Sequence, residues 1–142
     1  MRKLKGLIVI MIICLTALGF ASCKEGNSES ENTLPPETVN EYEQITAEKA
    51  KELMDSETGY VIIDARTEEE YADGHIEGAI LIPEYEIAQR AESELPDKNR
   101  LILVYCRSGR RSKIASKALA DLGYTNVKEF GGIIDWPYDV VK

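Results

Sequence analysis

Cysteine occurs three times among the 142 residues, histidine once and tryptophan once. Three cysteines, at positions 14, 23 and 106, are too few for a disulfide framework. A single histidine, His75, is the one imidazole available as a general base. Positive charge is also scarce: 17 Lys and Arg face 25 Asp and Glu, a formal charge of −8. Removing the first 22 residues, which hold three bases and no acid, leaves −11. That balance repels nucleic acid and anionic lipid headgroups, and it keeps a small domain soluble. The chain has no internal repeat. Its length, with 44% hydrophobic residues, allows one domain around one core.

The long apolar runs needed for membrane spans are missing as well. The longest such run, Leu7 to Ala21, is broken by Thr16 and Gly19 and falls short of the roughly 20 residues a spanning helix requires. It follows Arg2, Lys3 and Lys5, so residues 1–22 read as an export signal. The segment ends in Ala21-Ser22-Cys23, which resembles the lipobox of bacterial lipoproteins. That resemblance implies lipidation of Cys23 and a place in the bacterial cell envelope, on its periplasmic or extracytoplasmic face, with membrane attachment through the lipid alone. Phe20 stands where that family usually places Leu, so cleavage without a lipid, or an uncleaved anchor, is the alternative.

Residues 23–40 are polar, acidic and interrupted by Pro35-Pro36, a composition that cannot bury enough apolar surface to fold. They read as a tether, and about 17 flexible residues give a reach on the order of 20–25 Å. Residues 41–142 alternate short β-rich runs with helical patterns, which predicts an α/β domain with a parallel sheet covered on both faces. Thr46 caps a helix through Met54; Tyr60–Asp64 is a buried strand; Thr67 and Glu70 form a capping box. Ala79–Ile82 is a short strand ended by Pro83, and a helix follows over about 84–95. Leu101–Tyr105 is the next strand. Ile114, Ala115, Ala118, Leu119 and Leu122 mark the apolar face of a helix that begins near Ser112 and stops at Gly123. Val127–Phe130 is the last strand, broken by Gly131-Gly132, with a short helix over Ile133–Tyr138.

The chemistry is concentrated in CRSGRRS, residues 106–112, between a strand and a helix. Open parallel sheets bind ligands at the carboxyl ends of their strands, where turn N–H groups and the following helix terminus converge on an anion. Gly109 supplies the backbone freedom such a turn needs. Arg107, Arg110 and Arg111 favour the Cys106 thiolate and an anionic ligand, and Ser108 is a further donor or a simple turn residue. An inert buried cysteine would need none of these arginines. A lone thiol in an oxidising compartment is a liability unless reactivity is its purpose.

Four segments, VIIDART, GHIEGA, LVYCRSGRRS and EFGGIIDW, resemble the rhodanese family in their order and spacing. The resemblance implies a three-layer α/β fold with a five-stranded parallel sheet flanked by helices, and a catalytic Cys-x-x-Gly-x-Arg loop. Cys106, Gly109 and Arg111 occupy those loop positions. Arg110 stands where many relatives carry an uncharged polar residue, which suggests an anionic donor. The implied activity is sulfur transfer. Cys106 takes sulfane sulfur from a donor such as thiosulfate, forms a persulfide held by the N–H groups of residues 107–111, and passes it to a thiol, cyanide or a protein acceptor. No metal or organic cofactor is required.

Other residues have plainer readings beside the functional ones. His75 lies in a turn that organises backbone; Asp64 and Arg66 either border the pocket or form a structural ion pair; Trp136 either walls the pocket or packs in the core. Two rival functions stand beside sulfur transfer. Rhodanese-fold phosphatases and arsenate reductases use a similar loop one residue longer than the six residues from Cys106 to Arg111. A non-catalytic module that binds a partner or senses redox state would more naturally have lost Cys106 or its arginines.

Overall fold

A computed structural model describes residues 41–142, so the signal and tether readings over 1–40 lie outside the described residues. In chain order the elements are β1 (Glu43–Gln44), α1 (Ala47–Ser56), β2 (Val61–Asp64), α2 (Glu68–Asp73), β3 (Ala79–Leu81), α3 (Ile87–Glu94), β4 (Ile102–Cys106), α4 (Arg110–Asp121) and β5 (Val127–Gly132). Short 3₁₀ turns occupy Glu84–Glu86 and Ile133–Asp135. All strand pairs are parallel, and the sheet of five strands runs β1-β5-β4-β2-β3. This is the rhodanese-type three-layer arrangement expected from the resemblance.

Side-chain alternation along the central strand divides the core. Ile102, Val104 and Cys106 face one way and join Ile87, Ala91 and Leu95 of the α3 segment with Ala115 and Leu119 of α4. Leu103 and Tyr105 face the other way and join Ala50 with the partly buried Leu53, Met54 and Tyr71 from α1 and α2. All five residues of β4 are buried, as a strand covered on both faces must be.

Local chemistry sets the boundaries. The Thr46 hydroxyl accepts from the Lys49 N–H at 3.2 Å at the start of α1, and α1 continues to Ser56, two residues past Met54. The Thr67–Glu70 capping box opens α2 as expected. Several expectations need correction. The helix over 84–95 begins as a 3₁₀ turn, because Pro83 fixes the entry and Glu86 makes no side-chain cap. The final short helix is only the 3₁₀ turn Ile133–Asp135. Helix α4 begins at Arg110, directly after the left-handed Gly109, rather than near Ser112. Ile114 does not face the core: it is 47% exposed, and Ser112, Ala115, Ser116, Leu119 and Ala120 are the buried residues of α4. Gly131-Gly132 does not break the last strand. Val104 pairs Glu129 and Cys106 pairs Gly132, so two β5 residues oppose Tyr105 and form a bulge with Gly131 at φ +91°. Strand β1, two exposed polar residues, has no hydrophobic pattern to announce it.

Candidate active site

Parallel strands end together, and β4, flanked by β5 and β2, delivers Cys106 to the carboxyl edge of the sheet. The chain then turns through Arg107, Ser108 and Gly109, whose φ of +92° points its N–H back at the thiol. The Gly109 N–H donates to Cys106 Sγ at 3.1 Å. The bulge in β5 lets the loop settle against that strand. A side chain on Gly132 would place its Cβ 2.2 Å from the Arg107 carbonyl oxygen, so only glycine permits this approach. The Arg107 carbonyl in turn accepts from the Ile134 N–H at 3.3 Å.

The electrostatics of the thiol come chiefly from the loop backbone. Burial is the largest influence and opposes ionisation, but the Ser112 hydroxyl and the N–H groups of Ser112, Ser108 and Gly109 outweigh it, so the Cys106 pKa is lowered. The hydroxyl has one proton to give, and its 2.5 Å contact with Glu129 Oε1 assigns that proton to the carboxylate. The backbone N–H groups are therefore the donors that sustain the thiolate.

Glu129 was not singled out from the sequence, yet it lies beneath this loop with 2% exposure. Its Oε1 also accepts from the Gly131 N–H at 2.9 Å, so one carboxylate joins the first turn of α4 to the β5 bulge. A signal was present: the alternation that turns Val127 inward places Glu129 on the same face, where a charge needs partners.

The three arginines separate into two kinds. Arg111 gives both terminal nitrogens to Glu70 at 2.7 and 2.8 Å, a two-point pair joining α4 to α2. The Arg111 hydrogen bond is the main reason the Glu70 carboxyl is lowered to about 2. Arg107 and Arg110 are exposed, with no ion pair among the described residues, and Ser108 is exposed at the turn.

The remaining candidates lie on the opposite face of the sheet from Cys106. Arg66 bonds Asp64 at 2.6 and 2.9 Å and the Gly74 carbonyl at 2.7 Å, while the Tyr105 hydroxyl donates to Asp64 at 2.6 Å. They form a buried structural ion pair and do not border the thiol, because Asp64 shares a face with Ile62 and Tyr105. Burial and the neighbouring Asp64 raise the Tyr105 pKa. The His75 ring stacks on Tyr71 at 3.7 Å and its Nδ1 meets the Tyr71 carbonyl at 3.0 Å. Its backbone is bridged in both directions to Val141, so His75 is structural. Trp136 packs edge-on to Tyr138 and beside Phe130, with ring centroids 4.9 and 5.5 Å away.

The rhodanese-like domain family matches residues 46–137, from the cap of α1 to just past Trp136. The chain belongs to the rhodanese family. Over 80 residues it is 42% identical to the thiosulfate sulfurtransferase PspE of Escherichia coli, covering 56% of this chain and 77% of that protein. A sulfurtransferase of Allochromatium vinosum is 37% identical over 94 residues, covering 66% of this chain and 86% of the relative. Some relatives are much longer: the chain spans 23% of the adenylyltransferase and sulfurtransferase UBA4 of Candida albicans, at 33% identity over 70% of its own length. Among solved structures, an E. coli rhodanese with anions superposes with a TM-score of 0.56 at 40% identity, covering 59% of this chain and 99% of that one. The rhodanese domain here thus carries the Cys-x-x-Gly-x-Arg loop at the carboxyl edge of its sheet.

Proposed function

We propose that this rhodanese domain is a sulfurtransferase that carries sulfane sulfur on Cys106. The observation that carries the reading is the thiol at the end of β4, holding a 3.1 Å hydrogen bond from the Gly109 N–H beside two exposed arginines. In the first step the Cys106 thiolate attacks the outer sulfur of thiosulfate. A new S–S bond forms, the donor's S–S bond breaks, and its electron pair leaves with sulfite. The persulfide carries the same single negative charge as the thiolate it replaces, so the same loop N–H groups stabilise it. In the second step cyanide, or a cellular thiol in its thiolate form, attacks the terminal sulfur. The Cys106 thiolate departs with its electron pair and the cycle closes. Arg107, Ser108 and Arg110 meet the anionic donor, while Gly109 and Arg111 fix the shape of the loop.

The similarity of thiosulfate sulfurtransferase PspE to this chain supports thiosulfate as the donor. A phosphatase or arsenate reductase is a poorer reading. The loop from Cys106 to Arg111 is six residues, inclusive, one fewer than the loops those enzymes use to embrace a tetrahedral oxyanion. We also place the domain outside the cytoplasm, attached through a lipid on Cys23, on the strength of the basic, apolar and Ala21-Ser22-Cys23 sequence at the N-terminus.

The decisive test is intact mass after treatment with thiosulfate. Wild type gains one sulfur and loses it to cyanide; Cys106→Ser gains none and keeps its fold, because a hydroxyl is nearly isosteric but forms no persulfide. Sulfur uptake by the serine variant overturns the assignment.

A further inference from the structure

The outward face of α4 has no partner among the described residues and differs in character from the rest of the domain. Residues 107–117 hold five cations and no acid, although residues 41–142 contain 13 bases against 21 acids. Arg110, Lys113, Ile114 and Lys117 recur at helical spacing, so they form one stripe that starts at the catalytic loop. Ile114 is 47% exposed within it. Beside it Tyr42, Lys113, Ile114, Lys117, Ala118 and Asp121 line a shallow groove. Lys117 pairs with Asp121 at 2.8 Å, but Arg110 and Lys113 have no carboxylate within ion-pair distance among the described residues.

Helix stability does not account for these cations. A helix N-terminus carries partial positive charge and favours acids in its first turn. Helix α2 follows that rule with Glu68, Glu69 and Glu70, whereas α4 opens with Arg110 and Arg111 and has no acid there. Nor does a small donor account for them. From Arg110 to Lys117 the stripe runs about 10 Å along the helix, well past the reach of one thiosulfate at the thiol. An anionic bilayer is disfavoured by the acidity of the domain as a whole.

We propose that this stripe docks an acidic protein segment that presents a thiol to Cys106, its carboxylates meeting Arg110, Lys113 and Lys117 and an apolar side chain covering Ile114. The inference rests on the sulfurtransferase reading and names the kind of acceptor that reading leaves open. The attack itself is the second step above: the partner's thiolate takes the terminal sulfur and Cys106 leaves as thiolate.

The test uses the full chain and two short synthetic peptides ending in cysteine, one built of glutamate and leucine, the other of glutamine and leucine. Binding is read by fluorescence anisotropy on the unloaded chain, and transfer is read after loading with thiosulfate. We expect the acidic peptide to be used about tenfold better in kcat/KM at low salt, with the advantage shrinking as salt rises. The triple variant Lys113→Gln, Ile114→Gln, Lys117→Gln loses that advantage in both binding and transfer, yet passes sulfur to cyanide at the wild-type rate. Equal binding of the two peptides by wild type, or an unchanged preference in the triple variant, overturns the docking surface. So does a variant that loses association with phosphatidylglycerol vesicles while still preferring the acidic peptide. If wild type passes no sulfur even to cyanide, the enzymatic reading fails and the anisotropy still decides the surface.

Discussion

A thiol becomes a useful nucleophile when its anion is better solvated by the protein than its neutral form, and around Cys106 that solvation is supplied by a few oriented groups. Glu129 holds the turn that carries them, since it accepts from the Ser112 hydroxyl at 2.5 Å and the Gly131 N–H at 2.9 Å. Removing the carboxylate leaves the Gly131 N–H under the loop without a partner and the Ser112 hydroxyl with its longer contact to the Gly109 carbonyl at 3.1 Å. Glu129→Ala is therefore expected to cost about 2–3 kcal/mol of stability, in the range for orphaned buried polar groups. It should also slow sulfur uptake, because the turn that aims the Gly109 N–H is no longer tied to β5. Glu129→Gln keeps an acceptor at the same place and should recover most of both effects. Chemical denaturation and stopped-flow loading with thiosulfate read the two; equal damage from Ala and Gln would remove the acceptor argument.

Between elements, the Arg111–Glu70 pair joins α4 to α2 across the loop that carries the thiol. Its contribution should depend on pH in a definite direction. Glu70 is held down to about 2 in the folded chain, whereas an unfolded glutamate titrates near about 4.3. A folded pKa below the unfolded value stabilises above the unfolded pKa, and that stability is lost as pH falls through the folded pKa. Arg111→Ala is thus expected to cost about 1–2 kcal/mol at neutral pH, as a two-point, partly buried pair, with the cost shrinking as pH falls below about 4 and vanishing only below about pH 2. Thermal unfolding of both proteins across that range checks it. A deficit that stays constant down to the acid end would mean that Arg111 acts by packing and not by its pair.

Over the whole molecule, an acidic body with a basic loop focuses small anions at one edge of the sheet. Arg110→Asn removes one exposed charge that has no ion-pair partner among the described residues, and leaves the fold alone. We expect thiosulfate kcat/KM to fall about fivefold at low salt and the loss to shrink at high salt, while a neutral persulfide donor shows no change. The same scale includes the N-terminus. If Ala21-Ser22-Cys23 is processed as a lipobox, the mature chain begins at Cys23, carries acyl mass and partitions into detergent, and Cys23→Ala carries none. Mass spectrometry of the mature N-terminus decides this, and an unmodified start elsewhere removes the lipid.

By itself the sequence determined the class of fold and pointed to Cys106 as the candidate reactive residue, because both readings rest on local chemistry. Strand-forming runs such as VII at 61–63, the Thr67–Glu70 capping box and the stop at Gly123 act within a few residues of themselves. The CRSGRRS loop likewise declares a thiol, a permissive glycine and nearby cations within one short stretch. Only the tertiary structure decided what those residues meet across the sheet. Arg111, read beside the thiol, is turned to Glu70 from a different helix; Glu129 is brought under the loop by pairing of β5 with β4. Ile114 fits a helical apolar pattern but lies on the side of α4 that the sheet does not cover. Strand β1 exists only because β5 offers it an edge to pair with, and Gly131-Gly132, a stop by local rules, becomes a bulge because the loop after Cys106 has to approach it closely. Local signals report conformational preference, whereas burial and partner choice follow from contacts between residues far apart in the chain, which no short window contains.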